Sequence, residues 1–494
     1  MDELSRKITD DDIFPIGDMR EIWTASEIRS IIANTALNDD QVKFVQDNLL
    51  RTISLLVRIG VEDFGQKIFQ WIQSNQKFDE RLHELDCSEL VQNLARHQRN
   101  HFNDIRKSFN AIIITEGEDM NLERGQSLPL NRIQEIGTGM NGSVTGHEIP
   151  RGHLVRQGEA CLLSLSLYVF RITTNMRTSV KSNLTKVLVA KKTLGIKTSE
   201  KEVVILKYLR ELLLNEDIPL YTCFSMVTEK WQVHCLSYRS ELNLDELLKR
   251  INGYGETDKT RVSSSISQIK GITEAINFLH TSSPPGRQPD DGINCFCHMD
   301  VKPPNILVFL SSDSASTVGQ WKLIDFGVST VSIKRDRDTI GGPREDGHNR
   351  VTMTVGTNGK VINGTHQAPE VHMGPESRDV GRGSDVWSLG CMFSEVLAAN
   401  DGGLVTLHDE MLKHSEFFYE KINDCWKRVF YWKGFRRNPA FEKWLTKDLP
   451  KMNLPDMCQG IIMDMTEVKR IERPTSRTLV GRMQLLEQKM TEGD

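Results

Sequence analysis

The chain has 494 residues, 38% hydrophobic and 26% charged, with a formal net charge of −5. That length exceeds one ordinary core, so two or three domains are expected, and the composition is that of a globular protein. A pI near 6.3 leaves no electrostatic footprint for a nucleic-acid or anionic-membrane partner.

The amino terminus, Met1 to Lys7 followed by Asp10-Asp11-Asp12, has no apolar core and does not read as a secretory signal. Residues 1–126 read as a helical module. Asp39-Asp40 are placed to cap a helix through Val42, Val45, Leu49, Ile53, Leu56 and Ile59, with Gly60 as its stop. A second helix runs through Phe64, Ile68, Trp71 and Ile72, and a third through Leu90, Leu94 and Ala95. No residue in this module carries recognisable chemistry, so a packing, regulatory or oligomerising role is expected. A break at Glu116-Gly117-Glu118-Asp119 and Arg124-Gly125-Gln126-Ser127 marks a domain boundary.

From Leu128 the pattern turns to strands and glycine turns. Ile136-Gly137-Thr138-Gly139-Met140-Asn141-Gly142-Ser143-Val144 fits G-x-G-x-x-G-x-V, where glycines let backbone approach phosphates without collision. A Rossmann loop shares this spacing, but it opens a helix, whereas Pro150 and Gly152 follow here; a Walker A lysine is also missing. The most apolar window, Ala160 to Phe170, is interrupted by two serines and falls far short of the ~20 residues that span a bilayer. Val187 to Lys192 reads as a strand, in which alternation sends Lys191 and Lys192 to opposite faces. A strand from Trp231 to Arg239 follows, then a helix beginning at Leu244. Ile266, Ile269, Ile272, Ile276 and Leu279 form one apolar helical stripe. The nine cysteines are scattered singly except Cys295 and Cys297, and no second pair completes a metal site. Reduced thiols and an intracellular location, cytoplasmic or nuclear, are therefore expected.

His298-Met299-Asp300-Val301-Lys302-Pro303-Pro304-Asn305, then an apolar strand, then Asp325-Phe326-Gly327, is the most informative stretch. It supplies one carboxylate able to take a hydroxyl proton, one ammonium for a phosphate, and an amide with a second carboxylate for a shared Mg²⁺. Phosphoryl transfer needs those parts, because its catalysis is mostly positioning and charge neutralisation.

The order H-x-D-x-K-x-x-N then D-F-G resembles the catalytic core of eukaryotic protein kinases of the serine/threonine type. The resemblance covers about Leu128 to Gln488 and implies an α+β, two-lobed fold. An N-lobe at 128–238, with a small antiparallel sheet and one helix, would precede a larger helical C-lobe at 239–488. In that family Asp300 would be the base and Lys302 would stabilise the transferring phosphoryl. Asn305 and Asp325 would hold Mg²⁺. The Gly loop, Ile136 to Val144, would cover ATP, with Val144 and Ala190 against adenine and Lys192 on the phosphates. Lys192 would be paired by Glu202, with Glu200 as fallback. Backbone around Leu236 to Tyr238 would read the adenine edge. Ala368-Pro369-Glu370, Asp385-Val386-Trp387 and Arg473 resemble later landmarks; Asp385 would tie down the catalytic loop and Arg473 would pair with Glu370. ATP, Mg²⁺ and a protein substrate are the implied partners, together with a partner or autoregulatory contact through the amino-terminal module.

Four departures stand out. Residues 147–183 separate the Gly loop from Lys192 as an insertion, or as sequence wrongly joined to the frame; their Leu-Ser-Leu alternation could form an extra strand. Residues 281–294 lengthen the loop before His298. His366 stands where an aromatic residue is usual. Met299 replaces the arginine of H-R-D, which removes the charge that receives a phosphorylated activation loop. Activity independent of Thr352, Thr354 and Thr357 phosphorylation is expected. The helical leader and Met299 resemble kinases expanded in filamentous fungi. Two other readings stand beside the enzyme: a catalytically weak pseudokinase acting as a scaffold, and a small-molecule phosphotransferase, against which the Glu370 and Asp385 landmarks argue.

Overall fold

Apolar residues three and four apart build the amino-terminal helices of the computed structural model. It describes residues 16–32, 37–61, 64–82, 90, 95–139, 142–150, 152–156, 186–213, 218–254, 258–282, 295–310, 318–327, 329–333, 352–353, 365–372, 381–413, 431–432, 436–452 and 454–492. The described residues form two units: those within 16–156, 186–200 and 223–239, and those within 201–222 and 240–492.

The first unit opens with α1 (Ile16–Ile22), α2 (Ala25–Ile31), α3 (Asp39–Asn48), α4 (Leu50–Arg58), α5 (Gly65–Gln73), α6 (Phe78–Arg81) and α7 (Arg96–Phe109). The periodic run from Val42 to Ile59 is two helices rather than one, broken at Leu49 with φ −133°. The cap of α3 is Asn38, not Asp39-Asp40. Its side chain accepts the Gln41 N–H at 2.8 Å while the Gln41 side chain accepts the Asn38 N–H at 3.0 Å. The break leaves α4 without a cap of its own. Asp79 supplies one from outside, accepting the Arg51 N–H at 2.9 Å and the Thr52 N–H at 2.8 Å. Gly60, at φ +71°, ends α4 as its sequence position suggests. Leu90 is buried, 91–94 lie outside the described residues, and the next described helix begins at Arg96. Trp23, Val45, Leu49, Leu56, Ile68 and Phe102 belong to one buried cluster. Full burial of each such side chain stabilises by about 1.5–3 kcal/mol.

The sheet of this unit contains β2 (Asp119–Asn121), β3 (Asn131–Gly139), β4 (Gly142–Pro150), β6 (Lys186–Gly195), β7 (Ser225–Glu229) and β8 (Gln232–Tyr238), while β1 (Ile114–Thr115) pairs with β5 (Leu154–Val155). The order is β2-β7-β8-β6-β4-β3, antiparallel except that β2 runs parallel to β7. The stretch around Glu118-Asp119, which the sequence marks as a break, thus adds a sixth strand. Residues 147–150 complete β4, with His147 and Glu148 pairing with both neighbours and Ile149 and Pro150 with β6, so the long connection to β6 starts beyond Pro150. Residues 157–185, with the Leu-Ser-Leu alternation, lie outside the described residues. Helix α8 (Ile196–Leu213) follows β6 and is kinked at Ser199 (φ −128°).

The second unit is mainly helical. Its framework is α9 (Leu244–Asn252), α10 (Lys259–Thr281), α11 (Arg382–Asn400), α12 (Leu404–Lys413), α13 (Pro439–Lys443), α14 (Met457–Met465) and α15 (Ser476–Glu492). The expected stripe of Ile266, Ile269, Ile272, Ile276 and Leu279 is buried on α10. Short strands carry the chemistry-bearing loops: β9 (Leu242–Asn243), β10 (Cys295–Cys297), β11 (Ile306–Phe309), β12 (Gln320–Leu323), β13 (Thr330–Ile333) and β14 (Thr352–Met353). The β11–β12 hairpin sets Ile306 opposite Leu323, so the segments that follow Asn305 and precede Asp325 run side by side. No helix among the described residues is long and apolar enough to cross a membrane.

Candidate active site

The loop between β10 and β11 is held from below by one buried carboxylate. Asp385, on α11, accepts the His298 N–H at 2.8 Å and the Met299 N–H at 2.7 Å, and its Oδ2 lies 2.9 Å from His280 Nε2 on α10. These bonds fix Met299 at φ +68°, a left-handed conformation that L residues rarely adopt. The His298 ring closes the loop from the side. Its Nε2 lies 2.9 Å from the Ile324 carbonyl and its Nδ1 receives the Asp300 N–H at 3.3 Å; the Nε2–H tautomer satisfies both. The ring also meets the buried Phe326 edge-on, with centroids 5.2 Å apart.

Asp300 is the focus of this loop. Lys302 Nζ donates to its Oδ2 at 2.7 Å, and Asn305 Nδ2 donates to the same oxygen at 2.9 Å and to the Asp300 carbonyl at 2.8 Å. Spending its amino group there turns the Asn305 amide oxygen the other way. The Ile324 N–H donates to the Asn305 carbonyl at 2.9 Å, coupling the metal-site candidates Asn305 and Asp325 through one backbone step. Asp325 sits at φ +68° and its Oδ1 is 3.4 Å from the Gly327 nitrogen. An amide oxygen and a carboxylate are hard donors, so this pair fits Mg²⁺.

Farther along, Glu370 and Arg473 form a buried two-bond ion pair at 2.7 and 2.9 Å. The other Arg473 N–H groups reach the carbonyls of Glu467, Gly383 and Val468, so its whole donor set is used. Ser384 donates to Glu370 at 2.9 Å. His366, at the position usual for an aromatic residue, lies with Nε2 2.8 Å from Glu395, whose other oxygen is 2.7 Å from His408 Nε2. Burial alone would raise the Glu395 carboxyl, but the charges and hydrogen bonds of His366 and His408 outweigh it and hold it well below the usual range.

In the first unit, register places Lys191 and Lys192 of β6 on opposite faces of the sheet. Val144 lies opposite Lys192 and Gly146 opposite Ala190, so Val144, Ala190 and Lys192 share one sheet face. Lys191 takes the other face with Thr145; burial lowers its pKa, partly opposed by Glu229. Gly137, Thr138 and Gly139 pair with Val144, Ser143 and Gly142, and Ile136 sits in a bulge. A Cβ on Gly142 would collide with the Thr193 carbonyl oxygen, so only glycine fits. Met140 and Asn141 lie outside the described residues. Tyr238 turns its side chain to the face opposite Lys192, where its hydroxyl donates to Glu116 at 3.1 Å. Only its backbone remains for a nucleotide. On α8, Glu202 is buried whereas the fallback, Glu200, is exposed.

Sequence reasoning assigned no part to His298, although its motif position could have drawn attention to it. Nothing in the sequence singles out Lys302 as a direct partner of Asp300, or Glu116 as a partner of Tyr238, 122 positions away.

The protein kinase domain family model matches residues 169–484, so the match begins after the Gly loop. The chain is 32% identical to the dual specificity protein kinase zak2 of Dictyostelium discoideum over 141 residues, 28% of this chain and 16% of that protein. It is 36% identical to mouse (Mus musculus) mitogen-activated protein kinase kinase kinase 4 over 128 residues, 26% of this chain and 6% of the relative. Identity to the serine/threonine-protein kinase MPS1 of Encephalitozoon cuniculi is 28% over 179 residues, 34% of this chain and 25% of that protein. The chain thus covers a quarter or less of each of these relatives. With the family model matching well over half of its residues, this chain belongs to the eukaryotic protein kinase superfamily.

Proposed function

We propose that the chain is an active serine/threonine protein kinase that transfers the ATP γ-phosphoryl group to a protein hydroxyl. The observation that carries this reading is the convergence of Lys302 and Asn305 on one Asp300 oxygen. Asp300 would orient the substrate hydroxyl and take its proton, while Lys302, already within hydrogen-bond reach, would neutralise charge on the transferring group. Mg²⁺ held by Asn305 and Asp325 would supply charge neutralisation for the phosphates. Lys192 would anchor ATP, with Glu202 as its orienting carboxylate and the Gly137–Gly142 turn over the phosphates. Backbone at Tyr238 would read the adenine edge. The lysine two places after the base favours serine or threonine acceptors by resemblance. Residues 1–126, whose strand β2 joins the sheet, would be a module that packs on, regulates or oligomerises the rest, and residues 128–488 the kinase domain.

Met299 leaves the loop without the arginine that would receive an activation-loop phosphate, so activity should not need that modification. Alanine at Thr352, Thr354 and Thr357 together should leave the rate within about twofold, since no pairing charge is lost; abolished activity would contradict this. Thr354 and Thr357 lie outside the described residues.

A second reading, a binding scaffold on a weak kinase site, is favoured by the family match beginning at residue 169, past the Gly loop. Thermal unfolding of the full chain with Mg-ATP separates the two. At ~100-fold excess over Kd an active site is stabilised by about 2.7 kcal/mol. An unchanged midpoint would favour the scaffold.

A further inference from the structure

The hinge strand is gripped from behind by a segment that the kinase reading does not use. Between α7 and β3 the chain does not simply link two modules. The Ile112 N–H reaches the Ser127 carbonyl at 3.0 Å, the Ile114 N–H the His153 carbonyl at 2.8 Å, and the Glu116 N–H the Val155 carbonyl at 2.9 Å. The Gly117 N–H then bonds the Phe224 carbonyl at 2.8 Å, and β2 adds itself to β7. This strap delivers the Glu116 carboxylate to the hydroxyl of Tyr238, the last residue of β8.

The Tyr238 ring is buried. It lies against Phe224 with centroids 4.8 Å apart, and the Arg156 guanidinium carbon is 5.9 Å from its centre. Its backbone pairs with Val189, next to Ala190 on β6. Tyr238 is therefore held by its side chain on one face of the sheet, while Val144, Ala190 and Lys192 occupy the other. The second Glu116 oxygen is buried without a hydrogen-bond partner among the described residues. Burial pushes the Glu116 carboxyl up, and the Tyr238 hydrogen bond and the Arg156 charge oppose that cost.

We propose that Glu116 is a positioning residue for nucleotide binding, acting through Tyr238 to fix the end of the hinge strand and so coupling ATP affinity to the amino-terminal module. This rests on the reading of the chain as an ATP-binding kinase. Loss of the bond leaves the end of β8 paired to β6, with the Arg239 N–H on the Leu188 carbonyl at 3.2 Å, but removes the side-chain tether that holds it from the strap. Nucleotide affinity then falls more than the chemical step, because an interaction lost equally from ground and transition states raises KM and spares kcat.

The test uses the full chain, with Mg-ATP titrated against a fixed peptide concentration and Mg-ADP binding measured by calorimetry. Glu116→Ala and Tyr238→Phe should each raise the KM for ATP and the Kd for Mg-ADP by about five- to tenfold, the span of one buried hydrogen bond. The KM for peptide should not move. Glu116→Gln keeps an acceptor for the Tyr238 hydroxyl and should restore wild-type values. Should the wild type bind nucleotide and both Glu116→Ala and Tyr238→Phe match it, the positioning role is overturned and the kinase reading stands. A general loss, with the KM for peptide and the melting temperature moving in step with the KM for ATP and Gln no better than Ala, would also overturn it by reducing Glu116 to a packing residue. A wild type that binds no Mg-ADP overturns both.

Discussion

Arg473 illustrates how one side chain can fix the geometry of a loop far from it in sequence. Its guanidinium is fully buried and matched bond for bond by Glu370 and three backbone carbonyls. Lysine cannot reproduce a planar, two-bond pairing. Arg473→Ala should cost about 3–5 kcal/mol, as expected when a buried carboxylate loses its partner, and chemical denaturation would register it. A second effect at this scale is acid lability in two stages. His147 is pulled down to about 4 by burial, with Lys191 and Arg132 adding to the effect. Its folded pKa lies below its unfolded value, so the unfolded state binds more protons, and stability is lost as pH falls from about 6.5 to 4. Glu395 is also depressed, so its contribution is present in full only above the ordinary glutamate value of 4.5 and is lost below it. Melting curves against pH should therefore show the first unit weakening before the second. His147→Gln should shrink the higher-pH stage, to which His234, also lowered by burial, contributes, and Glu395→Gln should flatten the lower; one transition, unaffected by either substitution, would contradict this assignment.

Elements are where sequence reading met its limits. The apolar spacing from Val42 to Ile59 is continuous, and periodicity alone cannot see a break that depends on a carboxylate 30 residues downstream of Leu49. Asp79 caps α4 only because α6 brings it there. Asp79→Ala should destabilise the amino-terminal module by about 1–2 kcal/mol, the usual cost of a lost cap, which amide exchange within α4 would report. The same limit hid β2. Asp119 to Asn121 has neither β-branched nor aromatic residues, and it becomes a strand because β7 offers a free edge. By contrast α10 and β6 were legible. The Ile266 to Leu279 stripe has helical period, and alternation correctly separates Lys191 from Lys192.

At the scale of the molecule, the legible part was chemistry carried by short-range motif spacing. His298 to Asn305 falls within eight positions, so the motif itself is visible in the sequence, while the meeting of Lys302 and Asn305 on one Asp300 oxygen is seen only in the fold. What was not legible depends on chain segments far apart: the Asp385 anchor beneath Met299 was known only by resemblance, and the Glu116 strap not at all. Asp385→Ala should release the Met299 backbone, strand the buried N–H groups of His298 and Met299, and cost about 2–5 kcal/mol. Activity should fall with it, because the Asp300 carboxylate is placed by that loop.

Phosphate incorporation from ATP into a degenerate serine/threonine peptide library, compared between wild type and Asp300→Ala, tests phosphoryl transfer most directly. Wild type should label the library and Asp300→Ala should fall by about 10²–10⁴-fold, the range for loss of a positioned base. Equal labelling by the two proteins would contradict the assignment of Asp300 and with it the enzyme.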